Sequence, residues 1–139
     1  MDDLGCALEI NAMISELASA VQGVIHVAVV SFDGVPLANS STLGPDWVED
    51  LAASACTCLS AGWAVAGRLH GGAMLRFLIE TEHRTLMISS ITNDACLAIV
   101  TTPDCDLGDV GFHQTQVLNF AREVLTSEVQ ASLREARLQ

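Results

Sequence analysis

Lysine is absent from this chain of 139 residues, and so is tyrosine. All six basic residues are arginines (Arg68, Arg76, Arg84, Arg122, Arg134 and Arg137), set against 17 acidic residues, for a formal net charge of −11. Nucleic acid binding requires cations that displace phosphate counterions. Six scattered arginines on a strongly acidic chain therefore exclude DNA and RNA as expected partners, and disfavour anionic membrane surfaces for the same reason. A basic patch on another protein is a partner that this charge would attract. There is also no run of about 18 apolar residues free of charge, so no membrane span or insertion is expected. The amino terminus, Met1-Asp2-Asp3-Leu4, is acidic where a secretion signal is basic, which points to a cytoplasmic protein. Proline occurs three times and glycine ten, scattered rather than clustered, so neither a linker nor a repeat is expected.

What is present is apolar. Half of the residues are hydrophobic and the mean hydropathy is +0.42. That is enough for a packed core in one domain of this length. It is also high for a chain that works alone, and leaves two readings: apolar surface buried against another chain, or a core rich in Ala and Val. The five cysteines, at 6, 56, 58, 96 and 105, are odd in number and irregular in spacing; in a reducing compartment they read as small buried hydrophobes.

The periodicities divide the chain cleanly. Ile10, Met13, Ile14, Leu17 and Val21 form one helical stripe, which predicts a helix over 7–22 stopped by Gly23. Residues 24–31 read as a strand, with Val27 and Val29 on one face and Ala28 and Val30 on the other. Asp33-Gly34 signals a hairpin, and the return strand at about 35–40 carries Pro36, which confines it to a sheet edge. Gly44-Pro45-Asp46 opens a long helix that stops near Gly71-Gly72. Its core stripe is Val48, Leu51, Ala52, Ala55 and Leu59, and its other faces are small and almost uncharged, which predicts a helix–helix contact. Three further strands follow at 74–80, 85–91 and 95–101, joined by short turns into a meander. Asp109 is expected to cap a helix over 110–125, with inward Val110, Val117, Ala121, Val124 and Leu125, and Thr126 to cap a short last helix at about 127–137. The fold class expected is α/β of the α+β kind. A single five-stranded antiparallel sheet lies between helical layers, in the order α-β-β-α-β-β-β-α, as one domain over 1–139 with its core at about 8–125.

This order, together with several local phrases, resembles the roadblock / dynein light chain 7 family, in its bacterial branch. The phrases are Val21-Gln22-Gly23-Val24 before Val27-Ala28-Val29-Val30-Ser31, the hairpin Phe32-Asp33-Gly34-Val35-Pro36-Leu37-Ala38, and the long helix before Gly71-Gly72. Cys96-Leu97-Ala98-Ile99-Val100, Pro103-Asp104-Cys105-Asp106-Leu107-Gly108 and Leu125-Thr126 complete them. The chain is most similar to the actinobacterial conservon type, found beside a histidine-kinase-like protein and a Ras-like GTPase, with the MglB type as a related branch. The resemblance implies a roadblock, profilin-like fold and a homodimer in which the third strands pair and the long helices lie side by side. It also implies a small GTPase docked on a helical face. On those terms the expected dimer residues are Met74, Arg76, Leu78, Cys56, Ser60 and Trp63. The expected GTPase-facing residues are Trp47, Asp50, Ser54, Thr57 and Arg68.

Catalytic patterns are missing. Asp33-Gly34 and Gly71-Gly72 are not phosphate-binding loops, and there is no lysine to reach a phosphate. Cys56-x-Cys58 has the wrong spacing for zinc on a helix, and packing is the reading preferred. His26, His70, His83 and His113 are dispersed, with no nucleophile beside them. No cofactor and no metal is expected. Arg68 and Arg76 could each serve as a finger toward a GTPase, although a rim ion pair is the plainer role. Trp47 and Trp63 are separated by about 160° around the helix, so one belongs in the core or dimer seam. The other, taken to be Trp47, is an exposed anchor. The expectation is a non-catalytic GTPase regulator or scaffold. The rival is a small-molecule sensor of PAS-like or profilin-like architecture, which would need an apolar cavity with convergent polar groups.

Overall fold

The computed structural model describes residues 2–40 and 44–138. Met1 and Gln139, the ends of the expected domain, lie outside the described residues. The elements are α1 (Asp3–Ala20), β1 (Val24–Ser31), β2 (Pro36–Asn39), α2 (Pro45–Leu69), β3 (Phe77–Glu80), β4 (Thr85–Thr92), β5 (Ala95–Thr101), α3 (Leu107–Val124) and α4 (Ser127–Leu138). The five strands form one antiparallel sheet in the order β2-β1-β5-β4-β3.

Alternation along the two central strands divides the interior. Val27 and Val29 of β1, with Leu97 and Ile99 of β5, face α1, α3 and α4, where Ile10, Ile14, Leu17, Val117 and Leu133 complete the larger core. Ala28 and Val30, with Cys96 and Ala98, face α2, which contributes Val48, Ala52, Ala55 and Leu59. Both faces of the central strands are thus covered, as their continuous apolar sequences require.

Local signals explain most boundaries. α1 begins four residues before the expected start, because the Asp2 carboxylate accepts the Gly5 amide at 2.7 Å and Cys6 and Ala7 extend the buried stripe by a turn. Gly23 has φ +98°, and a Cβ there would lie 2.9 Å from the Cβ of Cys105. Only glycine allows the 102–105 loop to close on this turn, with the Thr102 amide bonded to the Gly23 carbonyl at 2.8 Å. Asp106, not Asp109, caps α3: its carboxylate accepts the amides of Gly108 and Asp109, and α3 starts at Leu107 rather than 110. Thr126 accepts the Val129 amide at 3.2 Å and opens α4 as expected.

β3 is the largest departure. Alternation predicts a strand over 74–80, yet only Phe77–Glu80 pairs with β4, Phe77 opposite Ile88 and Glu80 opposite Thr85. Residues 74–76 leave the sheet as a strap. Met74 turns toward α2 and lies over Gly62, where a Cβ would come within 2.5 Å of the Met74 sulfur and 2.8 Å of Phe77.

Candidate functional site

The strap and β3 run beside the C-terminal half of α2, and an apolar groove of about 560 Å³ opens between them. Ala61, Val65, Ala66 and Leu69 form its helical wall, and Met74, Phe77 and Leu78 its strand wall. Arg76 is the one charged side chain among its lining residues. Val65 is 56% exposed, Leu69 72%, Leu75 87% and Leu78 42%, a concentration of apolar surface that a solvated face does not usually carry. β3 ends the sheet, so its outer backbone faces the same side.

Three of the residues expected at a dimer interface, Met74, Arg76 and Leu78, meet in this groove. The other three do not. Cys56, Ser60 and Trp63 lie roughly 140–180° around the α2 axis from Val65, on its opposite flank. The Cys56 thiol donates to the Phe32 carbonyl, and the Trp63 ring stands edge-on to Phe32 at 4.8 Å. Neither tryptophan is in the core, which leaves the dimer seam as the other place expected for one of the pair. Trp47 is 59% and Trp63 39% exposed, because the buried side of α2 is narrow and filled by Val48, Ala52, Ala55 and Leu59. Trp47 rests near His26, ring centres 5.7 Å apart.

The residues expected to face a GTPase behave as one set. Trp47, Asp50, Ser54 and Thr57 recur at three- and four-residue steps, Arg68 follows about three turns later on the same stripe, and all five are exposed on the outer face of α2. The Thr57 hydroxyl is turned back to the Ala53 carbonyl at 3.1 Å, so this face presents methyls and small side chains more than free hydroxyls.

Sequence reasoning missed Val65, Leu69 and Leu75 as a patch. The signal was available: Val65 and Leu69 are one turn apart on a stretch of α2 whose core stripe has already ended at Leu59. It also missed Gln114, which is 2% exposed and donates from its amide to the Ser89 hydroxyl at 2.7 Å, across the packed layer between α3 and β4. A glutamine inside an otherwise apolar stripe gives no sign of its partner.

Chemistry elsewhere is quiet. Among the described residues no group of three or more His, Cys, Asp and Glu is placed to hold a metal ion. All five cysteines are free thiols. Burial pushes the Cys96 thiol up to about 12, and burial followed by the carboxylates of Asp106, Asp104 and Asp109 raises that of Cys105, so neither is an activated nucleophile. Among the described residues no helix is long and apolar enough to cross a membrane.

Comparison with known proteins agrees with this architecture. The family described as the Roadblock/LC7 domain matches residues 10–101. A Roadblock/LC7 domain from Streptomyces avermitilis superimposes with a TM-score of 0.78 at 23% identity, over 83% of this chain and 96% of that one. MglB from Myxococcus xanthus gives 0.75 at 16% identity, over 84% and 94%. A profilin from Acanthamoeba castellanii, 14% identical, still reaches 0.56 over 81% and 96%, which marks the wider fold. Among curated protein sequences no match was found. With four helices around a five-stranded antiparallel sheet, and a family match across two thirds of its length, the chain belongs to the Roadblock/LC7 domain family.

Proposed function

We propose that this chain is a non-catalytic, cytoplasmic regulator or scaffold that pairs with a second copy of itself and binds a Ras-like small GTPase, modulating its cycle of hydrolysis or exchange. The observation that carries the reading is the apolar groove beside the open β3 edge. An exposed strand edge flanked by Val65, Leu69, Leu75 and Leu78 supports association through backbone pairing and apolar burial together. A solved MglB is described as having a tetrameric arrangement, so association beyond the monomer is on record for a protein of this fold. The GTPase assignment rests on the family resemblance. The exposed outer stripe of α2 from Trp47 to Arg68, in which Asp50 and Arg68 bring the charge to an otherwise small and apolar face, supports it, with Trp47 as anchor. A histidine-kinase-like protein of a conservon-type complex is a further partner implied by the same resemblance.

Light scattering on the native chain and on Leu78→Glu tests the pairing. The native mass is expected near twice 14.7 kDa, falling to one chain in the variant. A native monomer removes the dimer from the proposal. Pull-down of a co-encoded Ras-like GTPase loaded with GDP or GTP tests the second half, and capture in neither state overturns it. The sensor reading needs convergent polar groups in the groove, which Arg76 alone does not supply. A thermal-shift screen with small apolar ligands separates the two.

A further inference from the structure

The strap at 73–76 sits between two packings, and the residues that select one of them can be named. Extending the β3–β4 register by three steps would place Arg76 opposite Ser89, Leu75 opposite Ser90 and Met74 opposite Ile91. The sequence alternates correctly for that extension, with Leu75 in phase with Phe77 and Ile79. In the observed state the phase is broken. Met74 takes the place over Gly62 that a continued strand would give to Leu75, and Leu75 is left 87% exposed. Beside the strap, where the strand would have run, lies a notch of about 540 Å³ bounded by Trp63, Leu75, Ser90, Ile91 and Arg122. Arg122 reaches into it from α3. Its Nη2 donates to the Ser90 carbonyl at 3.0 Å and its Nε to the Ile91 carbonyl at 3.3 Å, at the irregularity where the β4–β5 register shifts. The Ser90 hydroxyl is buried there without a partner. Gly71 and Gly72, the latter at φ +86°, together with His70 at φ 53°, give the chain before the strap its turning freedom.

We propose that residues 73–76 are a two-state strap bolted by Arg122. In the bolted state Met74 fills the space over Gly62, β3 is four residues long and the groove wall is the one described above. In the released state Arg122 leaves the two carbonyls and β3 zips on to Met74. Leu75 then replaces Met74 against α2, and the pairing edge grows from four residues to seven. The exchange is nearly balanced by design: one apolar side chain replaces another over the same glycine, and guanidinium hydrogen bonds are exchanged for strand hydrogen bonds. Because the strap walls the groove, its state sets how much edge a second copy can pair with. That consequence rests on the dimer reading, whereas the strap itself does not.

Hydrogen exchange on the full chain, resolved to residues 73–77, tests this with two variants that favour release by different routes. Arg122→Ala withdraws the bolt, and Met74→Thr weakens the competing packing. Both sites are at least partly solvent-exposed, so either change should fold. In each variant those strap amides that turn toward β4 are expected to exchange at least tenfold more slowly than in the native chain, a gain of protection caused by removing contacts. Unchanged or faster exchange at every amide of 73–77 in a variant with native-like spectral dispersion overturns the proposal. Should one variant fail to fold, the other decides. Solution mass measured alongside reports on pairing separately: slower strap exchange with a monomeric mass keeps the strap and removes the dimer.

Discussion

The buried pair Gln114–Ser89 offers a severe test of how α3 is held to the sheet. Gln114 is 2% exposed, as is Ser89, and the amide-to-hydroxyl bond of 2.7 Å crosses the packed layer between them. Gln114→Leu keeps the side-chain volume and strands the serine hydroxyl, which costs about 1–3 kcal/mol, the penalty for an unsatisfied buried polar group. Ser89→Ala strands the glutamine amide at a similar cost. The double variant leaves neither group stranded, so its loss should fall short of the sum by roughly 1–2 kcal/mol. With an unfolding entropy of about 2.1 cal/mol/K per residue, a loss of about 2 kcal/mol lowers Tm by roughly 7 °C. Urea denaturation of the native chain, both single variants and the double variant measures all four corners of the cycle. Single-variant losses that add to within about 0.3 kcal/mol would show that the two groups do not depend on each other, and the reasoning would fail.

The remaining predictions concern caps and titrating groups. Asp106→Ala should lose about 1 kcal/mol by removing the α3 cap, and Asp109→Ala should lose less than half of that; equal losses in urea melts would return the cap to Asp109. His26 is held below its usual 6.5, by burial first and by the Arg84 guanidinium second. The unfolded chain therefore takes its proton at a higher pH than the folded one. Its contribution to stability is full above pH 6.5 and falls as the pH drops from there toward the folded pKa. An NMR titration of the His26 ring should show a midpoint below 6.5, and His26→Gln should flatten the decline of Tm between pH 7 and 5.5; a midpoint at or above 6.5 contradicts this. Cys96, fully buried with a thiol pushed up to about 12, should resist iodoacetamide at pH 8 until the chain unfolds. Mass-mapped labelling of Cys96 at the rate of an exposed thiol would refute that.

The sheet and its layering were legible because β1 and β5 are apolar on both faces, a pattern that only a sheet covered on two sides accommodates. The α2 core stripe was legible from helical spacing: Val48, Ala52, Ala55 and Leu59 are buried, and the fifth expected residue, Leu51, is half-buried beside them. The cap of α3 was misplaced by three residues, because Asp104, Asp106 and Asp109 compete at the same turn and only geometry chooses among them. The strap at 74–76 was read as strand because alternation reports which residues could pair and cannot report that Arg122, nearly fifty residues away in sequence, occupies the partner strand. The expected dimer set split for a related reason. Small residues on α2 were assigned to one interface by character, whereas angular position puts Cys56, Ser60 and Trp63 on one flank and Val65 and Leu69 on the other.

The two ends of the sheet are unlike. β2 and β3 are equally short, but β2 carries Pro36 and lies beneath α4, with Arg137 bonded to Asn39. β3 at the far end carries neither proline nor an overlying helix contact of that kind, and looks onto the groove. Backbone pairing is therefore favoured at one terminus of the sheet and disfavoured at the other. An object with a single adhesive end saturates after one encounter. Two such chains meeting edge to edge exhaust each other's capacity, and a fibre, which needs both ends, cannot be built from them by strand addition. If copies pair through β3, the proline in β2 acts as a chain terminator at the level of assembly and favours small, closed complexes over fibres.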